Sequence, residues 1–172
     1  MKQIFKTNKI AADKNKLRGG YYTPKTLSDF LAEWAIRKPS DRILEPSCGD
    51  GSIVESAINR LSSLQKNNNH YEPQITSIEL VDDELMKAQK RVAEGLFDGL
   101  TTEWICDDFF HVFSKLQHTQ PYDVVIGNPP FIRFQYFNNE SRDIAFSHLR
   151  KFGYSPTKLA NVWAAFVQLS IE

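Results

Sequence analysis

Short apolar runs alternate with amphipathic helical stretches along most of this chain, and that alternation restricts the fold more than any other feature. Ile43-Leu44, residues 74–79, 104–106 and 124–126 read as strands. Val124, Val125 and Ile126 have the continuous β-branched character of a strand buried on both faces. Between them, Ile53, Ala57, Ile58 and Leu61, then Leu85, Ala88 and Val92, recur at helical spacing, and Gly95 stops the second of these helices. Ahead of the first strand, Leu27, Phe30, Leu31 and Trp34 form one apolar stripe, with Thr23 as N-cap and Pro24 as the first helical residue. Residues 157–171 form a last helix, with Leu159, Val162, Trp163, Phe166, Val167 and Leu169 apolar. The alternation predicts a three-layer α/β/α sandwich with a mainly parallel sheet. Strands near 42–45, 74–79, 103–106 and 122–126 take the order 3-2-1-4 with right-handed crossovers. The site of such a fold lies at the carboxyl ends of its strands.

With 172 residues, 41% hydrophobic and 24% charged, the chain can bury one real core. Lys plus Arg equals Asp plus Glu at 21 each, so no global basic signature exists. A nucleic-acid partner must be met by a local patch or by a region outside the sequence. Residues 1–16 are locally basic: Lys2, Lys6, Lys9, Lys14 and Lys16 face Asp13 alone. That arm is either simply solvated or contacts phosphates. Cys48 and Cys106 lack metal-type spacing and read as small buried residues of a reducing compartment. His70, His111, His118 and His148 show no ligand spacing and read as surface or loop residues. No metal is expected. No apolar run is long enough for a membrane, and the first residues lack a signal-peptide stretch, so the expected location is the cytoplasm. Residues 66–71 read as a brief polar loop.

Two loops carry chemistry. The first, residues 42–52, reads Arg-Ile-Leu-Glu-Pro-Ser-Cys-Gly-Asp-Gly-Ser. Gly49 and Gly51 let the backbone come close to a ligand, and strand, loop and helix together form the first unit of a Rossmann-like fold. The spacing is not Gly-x-Gly-x-x-Gly, so a dinucleotide pyrophosphate fits poorly. Glu45 at the strand end favours a cationic group, and helix N–H groups can take a carboxylate. Glu79 ends the second strand, where an acid can accept a pair of ribose hydroxyls. The second loop, residues 122–131, reads Tyr-Asp-Val-Val-Ile-Gly-Asn-Pro-Pro-Phe. Two prolines fix two φ angles and push Asn128 and Pro129 away from helix. The stiff corner presents the Asn128 amide, the Pro129 carbonyl and the Phe131 ring. Paired acceptors beside a ring suit an exocyclic NH2 on a flat heterocycle. Residues 131–154, with Arg133, Phe134, Tyr136 and Phe137, form either a nucleic-acid surface or a folded lid with its aromatics inward.

Asn128-Pro129-Pro130-Phe131 resembles the catalytic motif of amino-methyltransferases that use S-adenosylmethionine. Asn-Pro-Pro followed by an aromatic is typical of the adenine-N6 DNA methyltransferases, and also occurs in some RNA guanine and protein-glutamine methyltransferases. Glu45-Pro46-x-x-Gly49-x-Gly51 resembles their cofactor loop, which implies Glu45, Ser47, Gly49, Gly51 and Asn128 as cofactor residues, with Glu79 on the ribose. Residues 19–24, through Tyr22-Thr23-Pro24, resemble the N-terminal motif that contacts the methionine end of the cofactor. Its place before the glycine loop is similar to the γ arrangement of the DNA enzymes, and the RNA and protein-glutamine enzymes do not usually show it. Asp-Phe after the third strand resembles the family's adenine pocket; Asp108 with Phe109 is the preferred register, Asp107 stays open, and Phe110 reads as core. Asn161-x-Trp163-x-x-Phe166 resembles a segment that helps line the cofactor site, although a core helix explains the same residues.

The resemblance implies a Rossmann-like S-adenosylmethionine-dependent methyltransferase fold, incomplete at the C-terminus. The implied activity is methyl transfer from S-adenosylmethionine to N6 of a flipped adenine in double-stranded DNA, within a restriction-modification system. Asn128, Pro129, Pro130 and Phe131 carry the chemistry in that reading. The alternatives are an RNA or protein-glutamine methyltransferase, or an inactive truncated remnant that binds cofactor. The expected organisation is a basic arm at 1–16 and a truncated catalytic domain at 17–172, without a DNA-recognition domain. Expected partners are the DNA, a restriction or specificity subunit or domain, and a second copy paired through an open sheet edge; no membrane is expected.

Overall fold

The computed structural model describes residues 21–65, 74–94, 101–157 and 161–172. The basic arm, Gly19, Gly20, the polar loop at 66–71, Gly95 and Leu159 lie outside the described residues. The chain divides within the proline corner: residues 22–128 form one compact unit and residues 129–170 belong to another.

The first unit runs α1 (Lys25–Ala35), β1 (Ile43–Glu45), α2 (Ser52–Leu64), β2 (Gln74–Glu79), α3 (Asp82–Glu94), β3 (Thr101–Cys106), α4 (Phe109–Leu116) and β4 (Val124–Val125). All three strand pairings are parallel, and the order β3-β2-β1-β4 is the one the alternation predicts. Side chains of period 2 sort the sheet. Ile43 and Ile75, in register, face the core built by Ala32 and Ile36 with Ile53, Val54, Ala57, Ile58 and Leu61 of α2. Glu45 and Ser77, two residues further along, share that face at the carboxyl end. The sheet therefore aims an acid at the rim of an otherwise apolar layer.

Three elements depart from expectation. In α1 the buried stripe is Ser28 and Ala32, with Ile36 just beyond, whereas Leu27, Phe30 and Trp34 are exposed. Small residues let two helix axes approach closely, and α2 already supplies the large side chains. Ser56 Oγ donates to Asp29 Oδ1 at 2.7 Å, which fixes that face. Thr23 is not the cap either: Pro24 is the N-cap, and its carbonyl accepts from Leu27 and Ser28 N–H. Strand β4 is only two residues long, and Val125 is exposed. Among the described strands it pairs with β1 alone, so it is an edge rather than a strand buried on both faces. The α4 helix follows β3 directly, with Asp108 as N-cap accepting from Phe110 N–H at 2.9 Å. Of the two cysteines only Cys48 is buried; Cys106 is exposed.

The second unit contains a 3-10 turn (Phe134–Tyr136), α5 (Asn139–Lys151) and α6 (Val162–Leu169). Asn138 and Asn161 cap the helices through their side chains. Gly153, at φ 83°, ends α5, and Tyr154 N–H donates back to Leu149 O at 3.0 Å. Phe146 and Leu149 of α5 and Phe166 and Leu169 of α6 are buried. His148, expected at the surface, is also buried. Phe137 turns inward while Tyr136 stays exposed.

Candidate active site

The site is built where β1, β2, β3 and β4 end. Past Glu45 the chain turns back over β2: Cys48 N–H donates to Ile78 O and Gly51 N–H to Cys48 O, both at 2.9 Å. Gly49 has φ 54° and Gly51 φ 80°, conformations that cost any residue with a Cβ. They differ in surroundings. A Cβ at Gly49 meets nothing within 4 Å, so the backbone there faces open space. A Cβ at Gly51 falls 2.8 Å from Cα and Cβ of Ala88 on α3. Gly49 leaves room for a ligand, and Gly51 lets the helix pack.

Two acids line this turn. Glu79 Oε2 accepts from Gly49 N–H and Oε1 from Val81 N–H, each at 2.9 Å. Burial raises its pKa, and the two N–H groups oppose the rise. Glu45 is 1% exposed, and neither of its oxygens has a hydrogen-bond partner among the described residues. Burial first, and the Glu79 charge second, push its pKa well above the ordinary carboxylate range. Ser47 Oγ is likewise buried without a partner among them. Burial, then Glu45 and Glu79, push the Cys48 thiol up as well, which keeps it an unreactive thiol.

Opposite the turn, Ile126 N–H donates to Leu44 O at 3.0 Å, and the chain leaves β4 through Gly127. A Cβ at Gly127 falls 2.9 Å from Glu45 Oε1. Asn128 therefore leaves the strand beside the buried acid. Its Nδ2 donates to Thr23 Oγ1 at 3.3 Å, across 105 residues of sequence. Thr23 is buried, and its hydroxyl orients the amide instead of capping α1.

The remaining candidates spread around this core. Tyr22 is exposed and donates its hydroxyl to Glu84 Oε2 at 3.0 Å, so the phenol end engages α3. Pro24 is exposed at the start of α1. Asp108 is buried and gives Oδ1 to the α4 cap. The Phe109 ring is 2% exposed, packed 5.6 Å from the Phe110 ring and 5.9 Å from that of Phe113. It thus has no open face for a ligand ring, because the Asp108 cap starts a helix whose first turn points both phenylalanines inward. Phe110 is core, as expected. Asp107 is the more exposed acid; its Oδ1 accepts from Asp108 N–H at 2.7 Å. In the second unit Pro129 and Pro130 are half-buried and Phe131 is 51% exposed, while Trp163 is exposed and Phe166 buried.

Sequence reasoning missed two contributors. Asp50, inside the glycine turn, accepts from Ser52 N–H and Oγ with Oδ1. The first helical N–H is thereby already used. Arg91 of α3 holds Asp50 from the other side. An Asp between two loop glycines was the available signal; an arginine in the last turn of a helix gives none.

S-Adenosylmethionine brings a sulfonium and an ammonium to its protein, together with one carboxylate. A buried acid whose two oxygens have no partner among the described residues, next to a second acid that binds the glycine turn, can take a cationic group, releasing its proton as it does. The donor set fits.

The family model for N-6 DNA methylases matches residues 5–172. The modification methylase CviBIII of Paramecium bursaria Chlorella virus NC1A is 27% identical over 137 residues, covering 77% of this chain and 31% of its own. Two solved structures share the fold. A Vibrio vulnificus YJ016 chain, assigned as the modification subunit of a type I restriction enzyme, superimposes with TM-score 0.65 at 20% identity, over 96% of this chain and 33% of that one. A Listeria monocytogenes chain, assigned as a class I S-adenosylmethionine-dependent methyltransferase, gives 0.63 at 16% identity, over 89% and 43%. The chain thus spans about a third of its viral relative's length. Its fold is the Rossmann-like α/β fold of S-adenosylmethionine-dependent methyltransferases. With a family model matched over nearly its whole length, this chain belongs to the N-6 DNA methylase family.

Proposed function

We propose that this chain carries the cofactor-binding and catalytic part of a DNA methyltransferase acting on N6 of adenine. The observation that carries the reading is Asn128, set beside buried Glu45 by Gly127 and turned by its Nδ2 bond to Thr23. That bond sends Oδ1 to the opposite side of the amide.

When bound, S-adenosylmethionine supplies an electrophilic methyl group. Glu45 holds its ammonium, Glu79 the ribose hydroxyls and Asp108 its adenine, with Phe109 backing that pocket from the core. Ser47, Gly49 and Gly51 shape the turn around it, and Tyr22, Thr23 and Pro24 close its methionine end. The target adenine leaves the duplex to be reached, and Phe131 stacks on it. Asn128 Oδ1 and the Pro129 carbonyl accept its N6 hydrogens, stabilising the positive charge that develops on nitrogen. Pro130 keeps the corner rigid. We assign the enzyme to a restriction-modification system in the cytoplasm. A restriction or specificity subunit or domain, and a second copy at the β4 edge, are the partners this reading expects. No helix among the described residues is long and apolar enough to cross a membrane.

Labelled methyl transfer tests the reading. DNA, RNA and protein are offered as acceptors, and the product base is identified. Label in N6-methyladenine from DNA is expected. Asn128→Ala is expected to lose at least about 100-fold in rate, as removing one such acceptor does, while cofactor binding survives. Label confined to RNA or glutamine side chains contradicts the DNA assignment. Unchanged turnover in the variant removes Asn128 from the chemistry.

A further inference from the structure

One face of α3 touches both segments assigned to the cofactor. Glu84, Ala88 and Arg91 stand at i, i+4 and i+7, a single helical stripe. Glu84 accepts from the Tyr22 hydroxyl at 3.0 Å. Ala88 is the surface on which Gly51 rests, so closely that no side chain fits between them. Arg91 Nε donates to the Asp50 carbonyl at 2.8 Å, Nη2 donates to Asp50 Oδ2, and Nη1 reaches Glu55 Oε2 at 3.4 Å. Asp50 thus has its carbonyl and one carboxylate oxygen fixed from α3, and the other oxygen fixed by Ser52.

We propose that Arg91 is a positioning residue for the cofactor: through Asp50 it sets the shape of the Gly49-Asp50-Gly51 turn. This rests on the reading of that turn as the S-adenosylmethionine loop. Two left-handed residues flank Asp50, and such a turn has several backbone states close in energy. A planar guanidinium that grips carbonyl and carboxylate together selects one of them. The Arg91 side chain is 37% exposed and that of Asp50 16%, and a pair open to solvent on its cationic side adds only modestly to global stability. The effect therefore falls on the turn and its ligand. Lysine offers one point charge in place of the fork and restores only part of the grip.

The test uses the full chain. S-Adenosylmethionine affinity is measured by calorimetry, and amide exchange across residues 49–52 is followed without ligand. Arg91→Ala is expected to weaken binding about tenfold or more, the scale of lost charge-assisted hydrogen bonds. Exchange at the turn should quicken while the thermal midpoint moves by only a few degrees. Arg91→Lys should recover part of the affinity. Binding within about twofold of wild type in Arg91→Ala overturns the proposal, whether or not exchange quickens. If that variant fails to fold, Arg91→Lys and Asp50→Asn decide: unchanged affinity in both overturns it, and weakened affinity in both supports it. A wild-type chain that takes up no cofactor overturns the reading of the loop itself, a different result from a wild type that binds and an Arg91 that does not matter.

Discussion

Glu45 is the residue on which the electrostatics turn. It sits buried on the core face of β1 because period 2 places it there, two residues past Ile43. Its raised pKa has a consequence of definite sign. Below the ordinary carboxylate range, folded and unfolded chains both hold the proton. As pH rises through that range the unfolded chain ionises while folded Glu45 does not, so stability falls until the folded pKa is passed. Glu79, also raised, adds to the same slope. Glu45→Gln removes one contribution and is expected to flatten the fall of the thermal midpoint as pH rises above the ordinary carboxylate range. An unchanged slope contradicts the assignment of a protonated Glu45. In the wild type, a cationic ligand that ionises Glu45 releases a proton, which calorimetry detects as a heat that depends on the buffer.

At the scale of elements, the glycine turn and α3 form one unit, and the two glycines separate packing from binding. Gly51→Ala incurs about 1–2 kcal/mol for the left-handed backbone and about 1–3 kcal/mol for overpacking against Ala88. Its thermal midpoint is expected to drop by roughly 5–15 °C. Gly49→Ala carries only the backbone cost, because nothing lies within 4 Å of the new methyl. It should lose less stability and more cofactor affinity. Equal losses in both variants contradict the division. The strands and two of the helices were legible because β-branched runs and helical stripes are local signals, and so was the place of Glu45 and Glu79 at the ends of β1 and β2 and of Asn128 just past β4. What escaped was decided by neighbours. The buried face of α1 depends on how much room α2 leaves. α4 begins inside an Asp-Asp-Phe-Phe run that also reads as a strand end with a pocket. The Thr23 hydroxyl serves as a cap or as an acceptor for Asn128 according to a contact 105 residues away.

Over the whole molecule, a parallel sheet brings the ends of four strands and the segment before α1 to one rim, and every proposed cofactor residue lies in the unit spanning 22–128. Cofactor binding should therefore be a property of that unit. Cofactor binding can accordingly be measured without a nucleic-acid substrate. The most direct measurement is titration calorimetry of S-adenosylmethionine into the chain, its Glu79→Ala variant and its Asn128→Ala variant. The account predicts one site per wild-type chain, at least about tenfold weaker binding without Glu79 as two ligand hydroxyls lose a charged acceptor, and retained binding without Asn128. No heat from the wild type, or full affinity without Glu79, contradicts it.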